Sequence, residues 1–337
     1  MASTILGIDI GSKNITFVLV KLGKEVEIIS NFTLDTPNGA IELGELIKPD
    51  EIGNLIKTVI LEKKIKAKEL AICINSPEVI IREFSVPSSL KDSELLSALE
   101  FEVNKTFKSI TTTHDISFKV YEKTEDTIDG ILCLCPKSLI KGYIEIGELQ
   151  KIPLKYLDVS PNCISKVYEE FISPNKYNKT LAIVDIGSNT TTVNIICKGK
   201  LKMSRSIAQG GGYLDKLMTR TFDLSLQEAE KIKENHIKTF SENNLDFEFQ
   251  LKAAYDSIEE EILNTINYYM KASPKNTAVE KIYLVGGGSL TLGLEERFAN
   301  AFKIETSILK LGDSSLRNLS NFNRILPALG AAIREEV

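Results

Sequence analysis

A chain of 337 residues with a net charge of −5 and a pI near 5.4 is long enough for about two well-filled domains, and it lacks the basic excess that binds nucleic acid or anionic lipid. Hydrophobic residues at 43% and charged residues at 26% describe an ordinary globular chain. No apolar run approaches the ~18 residues of a spanning helix, and Met1-Ala2-Ser3 leads directly into a strand, so the expected setting is the cytoplasm, with no direct membrane insertion.

The first predicted element is a buried strand through Leu6, Ile8 and Ile10, stopped by Gly11-Ser12 and followed by a β-branched return strand, Thr16 to Val20. Asp9 is a lone carboxylate inside that apolar strand, and a buried carboxylate needs a partner. A helix opening at Pro49-Asp50 carries Ile52, Leu55, Ile56, Val59 and Ile60 on one face and ends at Glu62-Lys63-Lys64. Leu70 to Ile74 reads as a short strand stopped by Asn75-Ser76-Pro77. From Ile80 the texture changes to a helix through Leu95, Leu96, Leu99, Val103 and Phe107, with Ser89 as its expected cap. Strand-like runs at Ile116–Tyr121 and Ile131–Cys135 and a helix over Ser138–Leu149 complete what looks like an α+β insertion over 80–149. A strand at Leu154–Val159 and a helix from Pro161 follow, and the loop cluster around Ser173-Pro174-Asn175-Lys176 marks the main boundary.

The second half echoes the first: Leu181–Ile186 is a strand, Gly187-Ser188-Asn189-Thr190 a turn, and Thr192–Cys197 a return strand. Leu201–Ile207, a helix over Tyr213–Phe222, a capping box of Ser225 with Glu228, and a long amphipathic helix through Leu251 and Tyr269 come next. Lys281–Val285 is a strand running into Gly286-Gly287-Gly288-Ser289, and Ala328–Arg334 is the closing helix. The cysteines Cys73, Cys133, Cys135, Cys163 and Cys197 sit in apolar runs, and neither His114 nor His236 has a second ligand at zinc spacing, so structural thiols are expected.

Three Gly-rich turns at strand ends, two of them preceded by a strand aspartate, form anion-binding concavities suited to phosphates. Asp9 and Asp185 facing each other would require a cation between them, and Mg²⁺ with waters and phosphate oxygens meets that demand. The third turn, uncharged, suits adenine or ribose. Neither a P-loop ending in Gly-Lys-Ser/Thr nor a G-x-G-x-x-G fingerprint occurs.

The order Asp9-Ile10-Gly11-Ser12, Asp185-Ile186-Gly187-Ser188-Asn189-Thr190, Gly210-Gly211-Gly212, Ala229-Glu230-Lys231-Ile232-Lys233, Gly286-Gly287-Gly288-Ser289 resembles the superfamily of actin, the heat-shock chaperone ATPases and FtsA. Within it, nearly the whole chain is similar to the PilM family of type IV pilus assembly. The resemblance implies an α/β, actin-like (ribonuclease-H-like) duplicated fold with two lobes around a nucleotide cleft. Its subdomains would be 1A over 1–79 and 150–177 with 325–337, an inserted 1C over 80–149, and a second lobe over 178–324 with a 2B insertion at about 209–278. It implies ATP and Mg²⁺ as ligands, with Gly11, Ser12 and Lys13 as the first phosphate loop and Gly187, Ser188, Asn189 and Thr190 as the second. Asp9 and Asp185 would hold the metal through water, Gly211 and Gly212 would lie near the phosphates, and Gly286, Gly287, Gly288 and Leu290 would form the adenosine motif. Glu230 and Lys233 would contact ribose and base, although by themselves they read as an exposed helix face.

For partners, the resemblance implies the N-terminal cytoplasmic segment of the inner-membrane protein PilN, bound between 1A and 1C with the helix over Ser89–Lys108 as the first place to look, and the pilus motor ATPases. A monomer or weak homo-oligomer, peripheral to the membrane through its partner, is expected. Hydrolysis in the superfamily uses an early residue of the linking helix; here Asp158-Val159-Ser160-Pro161-Asn162 offers serine where relatives carry glutamate, and Asn162 is left to orient a water, so turnover should be slow. The chain stops at Arg334-Glu335-Glu336-Val337 without the amphipathic tail of FtsA, which favours PilM. Two alternatives stay open: a filament-forming, FtsA-like division protein, and a small-molecule kinase of the same fold using Asp92, Asp115, Asp126 or Asp129.

Overall fold

The opening strand β1 (Ser3–Ile10) is buried from Ile5 onward, as its unbroken apolar run requires of a central strand flanked on both edges. The computed structural model describes residues 3–42, 44–172, 179–272, 278–310 and 322–333; the expected boundary at 173–178 and the last four residues lie outside them. β2 (Asn14–Leu22) returns antiparallel to β1, and β3 (Val26–Asp35) adds a third antiparallel strand. A short ladder of β4 (Ile41–Glu42) and β5 (Glu45–Leu46) leads to α1 (Pro49–Glu62), whose first turn carries Asp50 and Glu51 where the helix dipole favours acids. Ile52, Ile56, Val59 and Ile60 form its buried stripe. β6 (Glu69–Ile74) then pairs parallel to β1.

The insertion begins with β7 (Ile80–Pro87), a strand that the sequence reading left unassigned because Arg82-Glu83 interrupts its apolar alternation. Its helix, α2 (Asp92–Thr106), is not capped by Ser89: Lys91 holds the N-cap position, with its backbone N–H donating to Glu94 Oε2 at 3.0 Å. Leu95, Leu99 and Val103 are buried, whereas Leu96 is exposed. β8 (His114–Lys123) and β9 (Thr127–Pro136) complete a three-stranded antiparallel unit with β7. Alternation along β9 sends Ile128, Leu132 and Leu134 into a core shared with α2, and Ile131, Cys133 and Cys135 toward the first lobe. α3 (Lys137–Glu148), read from sequence as part of the insertion, instead packs on α1 and buries Leu139, Tyr143 and Ile146 in the first-lobe core.

β10 (Leu154–Val159) joins β6 in parallel, and α4 (Ser160–Val167) continues into a π-helical turn over Tyr168–Ile172. The second half contributes β11 (Thr180–Ile186), β12 (Thr191–Cys197), β13 (Lys200–Ile207), α5 (Gly212–Phe222), α6 (Leu226–Asn235), α7 (Ile237–Glu242) and α8 (Leu245–Ala272). β14 (Val279–Val285), α9 (Leu294–Phe302), β15 (Glu305–Ile308) and α10 (Phe322–Ala332) follow. α10 starts six residues before the expected Ala328, since Pro327 lies inside it.

The first sheet runs β10-β6-β1-β2-β3, and the corresponding part of the second runs β15-β14-β11-β12-β13, the same order with the same parallel and antiparallel pairings. The second sheet continues through a single pairing, Ser204 with Ile81, into β7, β9 and β8. α4 and α10 lie between the two five-stranded arrays. Their core cluster takes Ile5, Val18 and Ala71 from the first and Leu181, Ile183 and Val285 from the second, so the two halves share one apolar core.

Candidate functional site

The two Asp-x-Gly-Ser turns are copies down to single hydrogen bonds. Asp9 is registered opposite Thr16 and Asp185 opposite Thr192; Gly11 N donates to Asn14 O and Gly187 N to Thr190 O, both at 2.9 Å. The duplication of the sheets therefore aims two equivalent turns at each other. One cleft is lined by Asp9, Gly11, Ser12, Lys13, Asp185, Gly187, Ser188, Asn189, Thr190, Gly211, Gly212, Glu230, Lys233, Gly286, Gly287 and Gly288, all expected from sequence. Leu290 is the exception: it belongs to the 3₁₀ turn over Gly287–Leu290 but lines no part of the cleft.

Asp9 and Asp185 are both buried. Burial, and then the charge of Asp185, push the Asp9 carboxyl up to about 7, against a bond from the Cys73 thiol that lowers it; burial alone pushes Asp185 up to about 6. Asp9 Oδ1 is buried with no hydrogen-bond partner, which leaves it able to coordinate a cation or accept a bond from a ligand in the cleft. Among the described residues no cluster of three or more His, Cys, Asp or Glu could hold a metal, so an ion here would draw its other ligands from water and from a bound anion.

The third turn is built around Gly286, at φ +81°, where a Cβ would overlap Asp185 Oδ1. Its N–H donates to Asn323 O at 3.0 Å. That carbonyl is available because Pro327, four residues on in α10, has no N–H with which to claim it. The loop before α5 is held against the second turn, with Gly211 N donating to Gly187 O and Gly212 N to Ser188 O, each at 2.8 Å.

Lys233 is buried, not on an exposed helix face: its Nζ lies 2.6 Å from Asp215 Oδ1 and donates to Gly211 O at 3.3 Å. Lys13 Nζ reaches Glu230 at 2.9 Å and Asp215 at 3.8 Å, and Arg324 lies 3.9 Å from Glu230 and 2.7 Å from Glu234. Burial works to raise the Glu230 carboxyl, but Lys13, Arg324 and Lys233 overcome this and leave it below the usual range. Asp215, Asn323 and Arg324 line the cleft without having been expected there. An acid in the first turn of a helix looks routine, and Asn323 and Arg324 lie before Ala328, where the closing helix was expected to begin.

Ser160 is fully buried with an unpartnered Oγ, and Asn162 spends its amide on both oxygens of Asp158 at 3.0 Å, so neither lines the cleft. Asp158 also pairs with Lys166 at 2.7 Å, which in turn donates to Ile333 O at 2.9 Å. Asp92, Asp115, Asp126 and Asp129 are likewise absent from the cleft. A second, apolar groove runs between the first lobe and the inserted strands, lined by Ile74, Ile81, Phe118, Ile131, Cys133, Ile140, Leu157 and Leu201, with Asp158 and Asn162 at its edge. α2 lies on the opposite face of β9 and contributes nothing to it.

Residues 7–321 match the family described as type IV pilus assembly protein PilM. The cell division protein FtsA of Porphyromonas gingivalis is 24% identical over 293 residues, 79% of this chain and 60% of that protein, so the chain spans about three fifths of its length. Among solved structures, the PilM-PilN type IV pilus biogenesis complex superposes with a TM-score of 0.81 at 18% identity, covering 97% of both chains. MreB5 of Spiroplasma citri bound to AMPPNP gives 0.52 at 13% identity, covering 97% of this chain and 94% of that one. The fold is actin-like, no helix among the described residues is long and apolar enough to cross a membrane, and the chain belongs to the PilM family of type IV pilus assembly proteins.

Proposed function

We propose that this protein is a cytoplasmic, actin-like scaffold of the type IV pilus assembly platform that binds ATP with Mg²⁺ and engages the N-terminal segment of a PilN-type membrane protein. The observation that carries the nucleotide half is the convergence of two equivalent Asp-x-Gly-Ser turns, with the Asp9 Oδ1 atom buried and unpartnered, on one cleft. Backbone N–H groups of Ser12, Lys13 and Ser188 to Thr190 suit phosphate oxygens, and Gly286 to Gly288 leave room for the nucleoside. Asp9 and Asp185 are the residues that would hold Mg²⁺. Bound there, the ion would neutralise both carboxylates and the phosphate charge facing them. With Ser160 buried and Asn162 committed to Asp158, neither residue expected to serve hydrolysis reaches the cleft, which supports slow turnover at best. The apolar groove between the first lobe and β7, β8 and β9 suits a short hydrophobic peptide, and nucleotide state would tune its affinity through movement of the lobes. Contacts with pilus motor ATPases belong to the same reading.

Thermal unfolding with and without ATP·Mg²⁺, followed by calorimetry with a PilN-type N-terminal peptide in both states, tests both halves. ATP·Mg²⁺ is expected to raise the melting temperature, Asp185→Ala to abolish that rise, and the peptide affinity to differ between the two states. An unshifted wild type would remove the nucleotide from the function.

A further inference from the structure

The cations at the cleft are of two kinds. Lys233 is neutralised inside the second lobe by Asp215 and the Gly211 carbonyl, and its side chain is 5% exposed. Lys13 and Arg324, about a third exposed, come from the first-lobe side, one on the β1–β2 turn and one on α10, and both converge on Glu230 of α6 in the second lobe. Glu230 is thus a single acceptor shared by two cations from across the cleft, and Arg324 is further tied to Glu234 one turn along the same helix.

We propose that Glu230 is an electrostatic gate: its pairing with Lys13 and Arg324 holds the lobes together over the phosphate turns in the ligand-free protein, and a polyphosphate opens the gate by taking Lys13 away. The proposal rests on the nucleotide reading for the identity of the competitor, whereas the pairing of Glu230 with Lys13 and Arg324 stands on this chain's own geometry. Partly exposed pairs are individually weak. That weakness makes the gate reversible, since a polyphosphate beside Ser12 and Ser188 offers Lys13 more charge at hydrogen-bonding distance than one carboxylate does. Glu230 freed of Lys13 would then be available to ribose hydroxyls, so one residue would serve as latch before binding and as ligand after it.

Two measurements separate this from a Glu230 that is only a ribose ligand. In the ligand-free protein, Glu230→Gln is expected to speed amide hydrogen exchange severalfold in segments covering the β1–β2 turn and α6, with β1 and β11 unchanged. Lys13→Met alone should raise exchange in the same segments, and combined with Glu230→Gln it should add less than the sum of the two single effects, as coupled partners do; strictly additive effects overturn the clamp. In stopped flow with a fluorescent ATP analogue and Mg²⁺, Glu230→Gln is expected to associate severalfold faster, whereas loss of a mere ribose contact would leave association unchanged and speed dissociation. Exchange unaltered by Glu230→Gln, or raised exchange with unaltered association, overturns the gate. If the wild type binds no nucleotide, the functional reading fails, and the exchange measurement with its double-mutant cycle still sustains or overturns the clamp.

Discussion

Asp9 is held where burial and the charge of Asp185 make its ionised form costly. Its carboxyl, near 4 in an unfolded chain, stands at about 7 in the fold. A group whose folded value is raised contributes stability that is complete below its unfolded value and is lost as pH climbs through the folded one. On this account the ligand-free protein loses stability between about pH 4 and pH 7, with Asp185, raised to about 6, adding to the same window. Asp9→Asn should therefore raise stability at pH 8 by ~2 kcal/mol or more, leave it unchanged near pH 4, and abolish stabilisation by ATP·Mg²⁺, all read from melting curves across pH. Asp9 and Asp185 were legible in the sequence because a charge inside an apolar strand has few explanations. Asp215 was not, since its position in the first turn of α5 is one that helices fill with acids for dipole reasons alone. The cross-lobe role of Lys13 was equally hidden, because its partners on α5 and α6 are some two hundred residues away in sequence.

At the scale of elements, α10 departs furthest from its sequence reading. The closing helix was expected to begin at Ala328, directly after Pro327, yet it runs through that proline, because the carbonyl Pro327 strands at Asn323 is satisfied by Gly286. Local rules cannot supply a partner from a different loop, and the start of the helix was misplaced for that reason. β7 was missed on similar grounds: the pairings to β9 that make it a strand lie about fifty residues downstream. Strands with unbroken apolar runs, such as β1, β6 and β11, were plain, as was the Ser225–Glu228 capping box, whose reciprocal bonds are present. Farther along α10, a Cβ on Gly330 would overlap the Cys163 carbonyl of α4. Gly330→Ala is expected to cost about 1–3 kcal/mol of stability despite its gain in helix propensity, as a lowered denaturant midpoint would register. An unchanged midpoint would mean that the α4–α10 crossing gives way freely.

For the molecule as a whole, the duplication was the most legible property, because two copies of one turn imply two copies of the sheet that carries it, and the paired strand orders agree. The manner in which the copies are joined was not written locally. The inserted strands meet the second lobe through the Ser204–Ile81 pairing, the Tyr121 hydroxyl that donates to Leu201 O and the Lys202–Glu83 ion pair, and the two sheets bury α4 and α10 in common. That shared core bears on how the chain is made. α10, from near the end of the sequence, lies against β1, at its beginning, so closely that a Cβ on Gly7 would overlap the Ala328 carbonyl. During synthesis the first lobe therefore stays unfinished until the residues through Ala332 have left the ribosome, and its N-terminal strands cannot complete it by themselves. Nascent chains arrested before Phe322 should remain open to proteolysis within β1 and β6, and gain protection only when arrest is moved beyond Ala332 with room to clear the exit tunnel. Assembly of this protein is thus gated by α10, and chaperone capture should concentrate on the half that emerges first.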